Sequence, residues 1–386
     1  MKFVGVDVAK ETHYACVTSQ NNKILTPPFA FRNDIDGFTK FVSKFNKFPK
    51  NDVVVGLEST GVYGENLIAF LSENGYKIAL INPIETAGLR RKQIRNAKTD
   101  KIDSKGICKY LFQEEYRLLQ RQELSVLELR GICRFRQSLK KQNARLKIQL
   151  VSYLDVIFPE YHELFSSVHG KGSYAVLSEF SSPSAIANAD TAKLENILTT
   201  ASRGHFGRAK AEELKTLAQR SIGGKLSDKS FQISHTITQI RLIESQMDKS
   251  EKHLEELWGG VDSVIKTIPG IGTVDGAMIY SEIGDISRFH KPDQLIAFAG
   301  LDPATRQSGN FRAGSTKMSK RGSPFLRFAL VNAAWNLSMN NATFGEYYHL
   351  KLSEKGRHYK ALGHVAGKLC RVIFAMLKNN MTFNLP

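Results

Sequence analysis

The sequence predicts a mixed α/β domain at the N-terminal end, followed by a mainly helical remainder. Three observations carry this. Val-rich runs of strand character fall only in the first part of the chain. Two later segments, 122–157 and 226–258, repeat apolar residues at a seven-residue step. From 259 onward, glycine turns alternate with apolar runs of helical spacing.

Residues 2–8 (KFVGVDV) alternate and are rich in Val, which predicts a strand. Residues 12–18 (THYACVT) predict a second strand after a short turn, and a third lies near Ile24 to Phe31. Residues 35–48 have apolar positions at helical spacing, and NDVVVGLE, 51–58, is a buried strand. VYGENLIAFLSENG is a helix ending on Gly75, and KIALINP, 77–83, is a strand stopped by Pro83. Three strands, a helix, then alternating strand and helix is the order of a ribonuclease-H-like domain. A right-handed crossover there sets the later strands parallel to the first. KIDSKGICKYLFQ begins a further helix.

In the segment 122–157, Ile132, Leu139, Leu146 and Tyr153 recur every seven residues; in 226–258, Leu226, Ile233, Ile240, Met247 and Leu254 do so. Two such stripes predict a coiled coil, with each other or between subunits. The alternative is a pair of amphipathic helices buried in an ordinary bundle; the coiled coil is the favoured reading because the other stripe position is poor, holding Glu244 and Glu251, and the seam is narrow. A smaller helical insert fills 160–224. Gly259-Gly260 marks a boundary, and IPGIG, 268–272, predicts a helix-hairpin-helix-like turn whose backbone N–H groups face a phosphate. These marks divide the chain into 1–115, 116–258 and 259–386.

The chain has 386 residues and a formal net charge of +17. A surplus of that size points to a polyanion, because counterions released from phosphate backbones drive binding. The run 84–105 carries seven bases, among them Arg90, Arg91, Lys92, Arg95 and Lys98. Between Leu129 and Leu154 there is no acid but there are seven bases, including Arg134, Lys140 and Lys141. The Gly- and Ser-rich segment 303–327 adds Arg306, Arg312, Lys317, Lys320 and Arg321. The four cysteines are scattered, with no CxxC pair, which fits a reducing compartment and argues against a zinc site. No apolar run of about 18 residues occurs, so no membrane span is expected. The expected location is cytoplasmic.

Against this basic background, four acids stand at the ends of predicted elements. Asp7 ends the first strand and Glu58 the fourth, while Asp100 and Asp103 share one face of a helix. Carboxylates packed together repel, and hard divalent cations such as Mg²⁺ cancel that charge. Two such ions about 4 Å apart stabilise both the attacking and the leaving oxygens at a phosphate. Mn²⁺ would serve as well. Each acid also has a plainer reading, as a turn or helix cap or a solvated strand end. An actin-like kinase shares the strand–Asp–turn of GVDVAK, but leaves the charge and the long basic helix unexplained. The serines Ser308, Ser315, Ser319 and Ser323 lie among bases, and either a nucleophile or simple phosphate contacts would suit them.

The set GVDVAKE, GLESTG, NAKTDKIDSK, IPGIG and FAGLDPATRQSGNFRAGSTKMSKRG resembles one family over almost the whole chain. It is similar to the insertion-sequence transposases with a DEDD catalytic domain, the IS110 group, which also includes a pilin-gene DNA invertase. The resemblance implies a RuvC-like N-terminal domain with Asp7, Glu58, Asp100 and Asp103 as the motif acids and metal ligands. It implies a coiled coil and a C-terminal transposase domain in which Ser308 is the nucleophile, forming a covalent link to DNA. It further implies donor and target DNA as partners, a structured noncoding guide RNA, and a dimer or tetramer. Without the resemblance, a junction resolvase using water, or a non-catalytic nucleic-acid-binding protein, would also suit the residues.

Overall fold

A computed structural model describes residues 1–58, 63–81, 99–114, 116, 118–119, 121–223, 227–304, 307–308, 311–312 and 317–384; for 121–124, 227–228, 307–308, 311–312 and 355 it describes the backbone alone. The chain divides into two compact units, residues 1–126 and 127–386.

The first unit is built on one sheet of β1 (Lys2–Asp7), β2 (Thr12–Ser19), β3 (Ile24–Arg32), β4 (Val53–Glu58) and β5 (Lys77–Ile81). The order is β3-β2-β1-β4-β5. β1, β2 and β3 pair antiparallel; β4 joins β1, and β5 joins β4, in parallel. The N-terminal part is thus the mixed α/β sheet that the element order predicts. The parallel half needs a crossover, and α2 (Glu65–Glu73) supplies one between β4 and β5. α1 (Ile35–Ser43) is shorter than the predicted helix 35–48. Residues 44–47 wind as turns that still bury Phe45, and Pro49 follows.

The two faces of β1 and β4 serve different cores. Val4, Val6, Val55 and Leu57 pack with Phe38, Phe41, Leu67 and Leu71 from α1 and α2. Phe3 and Val54, on the opposite face, pack with Ile107 and Leu111 of α3 (Asp100–Gln113). A strand covered on both faces carries a continuous apolar run, which is why VVVGL shows no alternation.

The second unit is mostly helical. Two long helices, α4 (Arg121–Ile157) and α10 (Ser227–Gly259), match the predicted segments closely. They run antiparallel: Arg136 Nε donates to Glu251 Oε1 at 2.7 Å and Asn143 Nδ2 to Glu244 Oε1 at 3.4 Å. Lys147 Nζ also pairs with Glu244, at 2.8 Å. As one residue number rises by seven, its partner's falls by seven.

The seam on α4 is not the expected stripe. Of Ile132, Leu139, Leu146 and Tyr153, only Leu139 is fully buried. The buried or paired row is Leu129, Cys133, Arg136, Asn143, Leu150, Leu154 and Ile157. Its middle is polar, so apolar periodicity picked the flanking row instead. On α10 the expected Ile233, Ile240 and Leu254 are buried, and Met247 is half-buried; Leu226 lies outside the described residues. Glu244 and Glu251, which made the second stripe look poor, are the partners of the α4 bases.

Between the long helices, α5 (Tyr161–Leu164), α6 (Lys171–Glu179), α7 (Pro183–Asn188), α8 (Thr191–Ser202) and α9 (Arg208–Arg220) form the helical insert. Its core includes Leu150 and Leu154 of α4 and Ile233 and Ile237 of α10. After α10 come α11 (Thr273–Ile283), α12 (Pro292–Ala299), a two-stranded ribbon of β6 (Gln307–Ser308) and β7 (Phe311–Arg312), then α13 (Pro324–Asn340), α14 (Ala342–Lys355) and α15 (His358–Asn379). The element before IPGIG is a single 3-10 turn, Val264–Thr267, rather than a full helix. Pro269 removes a backbone donor and ends it. Among the described residues, no helix is long and apolar enough to cross a membrane.

Candidate catalytic site

Two glycines on neighbouring strands make the first half of the site. Gly5 and Gly56 are register partners in the parallel β1–β4 pair. A Cβ on Gly5 would lie 2.3 Å from the Ser104 carbonyl oxygen and 2.7 Å from the Cys108 amide nitrogen. A Cβ on Gly56 would lie 2.8 Å from Leu111 Cδ1. The glycine pair is therefore a trough that admits the backbone of α3. Cys108, fully buried, fastens the helix there: its Sγ accepts from Gly5 N at 3.0 Å and donates to the Cys16 carbonyl at 3.2 Å.

Side chains two apart on a strand share a face. Asp7 lies two residues after Gly5 and Glu58 two after Gly56, so both belong to the face that α3 covers. Val6 pairs with Leu57, which places the two acids at adjacent strand ends. Asp7 and Glu58 are both half-buried. On α3, Thr99 is the cap: its Oγ1 accepts from Ile102 N at 3.3 Å. Asp100 and Asp103 follow in the first turn, where the helix dipole favours negative charge. They differ in placement, since Asp103 is 7% exposed and Asp100 is exposed to solvent. Asp103 precedes Ser104, the residue whose backbone touches Gly5.

The donor set is all carboxylate oxygen, which suits a hard divalent cation. Among the described residues, no three His, Cys, Asp or Glu side chains are gathered closely enough to hold one ion. The five expected basic neighbours, Arg90, Arg91, Lys92, Arg95 and Lys98, lie outside the described residues.

One turn of chain behind the acids, a buried histidine holds the β1–β2 turn. His13 Nδ1 accepts from Ala9 N at 3.1 Å, and the ring stacks on Phe38. Burial lowers its pKa from 6.5, with Asn33 acting in the opposite direction.

In the second unit, Ser308 lies on β6 and pairs with Phe311 of β7. Arg312 is the last residue of β7, and Arg306 lies outside the described residues. The root of this ribbon is tightly built. Ala304 N donates to the Lys317 carbonyl at 2.7 Å and Ser319 N to the Asp302 carbonyl at 2.8 Å. A Cβ on Gly322 would fall 1.9 Å from the Phe298 carbonyl oxygen and 2.5 Å from Gly300 N, so the two chain ends meet backbone to backbone. Lys317, Lys320 and Arg321 are exposed around that root.

Sequence reasoning missed the group that ties this root to α4. Glu282, 2% exposed, accepts from Arg134 Nε at 2.6 Å and Nη2 at 3.0 Å, and from Ser323 Oγ at 2.8 Å. Ser323 also caps α13, accepting from Leu326 N at 3.2 Å. Arg130 Nε donates to the Ser281 carbonyl at 2.8 Å. Arg134 and Lys141 lie over the Phe325 ring, and Lys140 over Phe328. Much of the acid-free run on α4 is thus answered by acids and rings from elsewhere in the unit. The signal for Glu282 was an acid inside the apolar run GAMIYSEIG, a context that requires a partner.

Strand-end acids on one sheet face and, in the second unit, a serine on a short ribbon are residue types suited to phosphate chemistry, and the class of protein comes from its similarity to transposases. The comparisons with known proteins make it specific. A family model described as "Transposase", of the DEDD IS110 type, matches residues 4–159, and one described as "Transposase IS116/IS110/IS902 family" matches 262–349. This chain belongs to the IS110 transposase family. Among its relatives, the insertion element IS116 uncharacterized 44.8 kDa protein of Streptomyces clavuligerus is 23% identical over 99% of this chain and 96% of the relative. The pilin gene-inverting protein of Moraxella bovis is 22% identical over 99% and 97%. The transposase for insertion sequence element IS1111A of Coxiella burnetii is 34% identical over 31% of this chain and 33% of its own.

Proposed function

We propose that this transposase cuts and rejoins DNA through a covalent serine–DNA intermediate, with Asp7, Glu58, Asp100 and Asp103 holding Mg²⁺. The observation that carries the reading is the placement of Asp7 and Glu58 at adjacent strand ends on the sheet face covered by α3, the helix that carries Asp103 in its first turn. The strand order β3-β2-β1-β4-β5 supports a ribonuclease-H-like, RuvC-like domain. Divalent ions at such a site would supply charge neutralisation at the scissile phosphate. Carboxylates on one face repel, and a cation is what would draw them together.

In the reaction, the Ser308 hydroxyl oxygen bonds to the phosphorus, and the bond from phosphorus to one sugar oxygen breaks. The hydroxyl proton ends on the departing sugar oxygen. Rejoining reverses the step with a second strand's hydroxyl, so no outside energy source is needed. Lys317, Lys320 and Arg321, with Arg306 and Arg312, would hold the phosphate backbone. The run 84–105 and the remaining bases of α4 would contact a structured guide RNA. The long helices would serve as a coiled coil in a dimer or tetramer.

The test is adduct trapping. Full-length protein with Mg²⁺ and element-end DNA gives a denaturation-resistant protein–DNA adduct; Ser308→Ala abolishes it, and Asp7→Ala abolishes cleavage while DNA binding persists. An adduct that survives Ser308→Ala removes the nucleophile assignment. Turnover on branched DNA with no adduct would favour a water-using resolvase instead.

A further inference from the structure

The stretch from 303 to the end of the chain contains 13 Lys and Arg but only two acids, Glu346 and Glu354. Glu354 is already paired with Lys351, at 2.8 Å. On this basic background lies an unusual group of rings. Trp335 of α13 meets Tyr348 of α14 edge-on at 5.7 Å and His358 of α15 at 5.0 Å. Tyr348 Oη is 2.8 Å from His358 Nδ1, which fixes the two rings against each other. Tyr359 follows with its ring 4.9 Å from that of His358. Trp335 stays 39% exposed and Tyr359 80% exposed. Arg357 and Lys360 flank them, both exposed.

Single exposed aromatics are common and call for no account. Here Trp335 is held by the buried Tyr348, Tyr359 lies against His358, and cations flank them. Tyr359 also stands four residues, and Lys360 three, before Gly363, on the same side of α15. Against Gly363 lies the methyl of Met318, which is at the ribbon root: a Cβ on Gly363 would be 3.2 Å from Met318 Cε. Met318 bridges to Pro303 across that root. The ring shelf is therefore about one helical turn from the seat of the ribbon that carries Ser308.

We propose that Trp335 and Tyr359 form a stacking platform for an unpaired base of the DNA strand whose phosphate the Ser308 ribbon engages, with Arg357 and Lys360 on its backbone. The inference rests on the proposed function, and it names where the opened strand is gripped. Every base offers a π face, so such a platform accepts single strands without reading sequence.

The test is a fluorescence-polarisation titration of the full chain without divalent ion, using one labelled sequence as single-stranded DNA, as duplex DNA and as RNA. Tyr359→Ala weakens single-stranded DNA binding about tenfold and duplex binding less than about twofold, whereas Tyr359→Phe binds as wild type. Single-stranded DNA also quenches the tryptophan emission, and Trp335→Phe removes that quenching, because the other tryptophan, Trp258, is only 6% exposed. An unchanged affinity in Tyr359→Ala, or equal losses on all three ligands, overturns the proposal; a loss confined to RNA overturns its assignment to DNA. Since no cleavage is needed, failure of Ser308 as nucleophile would leave this result standing. An intact adduct with no stacking effect would sink only the platform.

Discussion

Gly5→Ala is the sharpest probe of the acid site, because it adds one methyl group and removes no functional atom. Its Cβ would lie 2.3 Å from the Ser104 carbonyl oxygen, and an ordinary contact begins at 3.4 Å. α3 must therefore retreat by about 1 Å, or β1 must bend, and the obstructing atoms are backbone, which no rotamer change relieves. Overpacking of this kind costs about 3 kcal/mol. For a unit of this size that corresponds to a fall of roughly 10 °C in melting temperature. The same retreat shifts Asp103, the residue before Ser104 on α3, relative to Asp7 on β1. A misplacement of about 1 Å is worth roughly a hundredfold in rate. The assay is Mg²⁺-dependent strand cleavage at a temperature where the variant is still folded by circular dichroism, with melting followed separately. Cleavage at the wild-type rate in a folded Gly5→Ala protein would refute the claim that the glycine trough sets the acids.

Three further outcomes follow from other parts of the structure. Arg134→Ala leaves Glu282 buried with Ser323 as its one hydrogen-bond partner among the described residues, and should cost about 3 kcal/mol in urea unfolding; if Arg134→Ala and Glu282→Gln prove additive in a double-mutant cycle, the pair is not coupled. His13 has a folded pKa lowered below 6.5, so the unfolded chain binds the extra proton first. The stability it contributes is therefore full above about 6.5 and is lost as pH falls toward the folded value; a His13→Gln melting curve with the same pH dependence as wild type would contradict this. Gly322→Ala should abolish adduct formation while leaving the first unit's melting unchanged, because its Cβ would collide with the Phe298 carbonyl at the ribbon root; normal adduct yield would show that the root does not position Ser308.

The strands were legible because Val runs are a strong local signal, and the acids because they stand where those runs stop. What sequence reading did not supply was the reason these acids share a face. That reason is the repeated pattern Gly5-Val6-Asp7 and Gly56-Leu57-Glu58, which gains meaning only once β1 and β4 are seen to be paired. The α4 seam was misplaced for a related reason: Arg136, Asn143 and Lys147 are polar, and a stripe search counts apolar residues. Their partners, Glu251 and Glu244, are about a hundred residues away, beyond any local periodicity. Glu282 and Arg134 are 148 residues apart and escaped notice in the same way.

The antiparallel bracing of α4 and α10 also bears on how such a chain can change over generations. The pairings Arg136–Glu251 and Asn143–Glu244 are set by side chains on the arms themselves, not by the segment that joins the arms. Residues can accordingly be gained or lost in the loops among α5 to α9 at little thermodynamic expense. One residue added between Arg136 and Asn143 is a different matter. It would rotate everything beyond it by about 100° and break phase with α10 along the rest of the arm. Length variation should therefore collect in the insert, while the arms tolerate exchange of residues but not a change in their number.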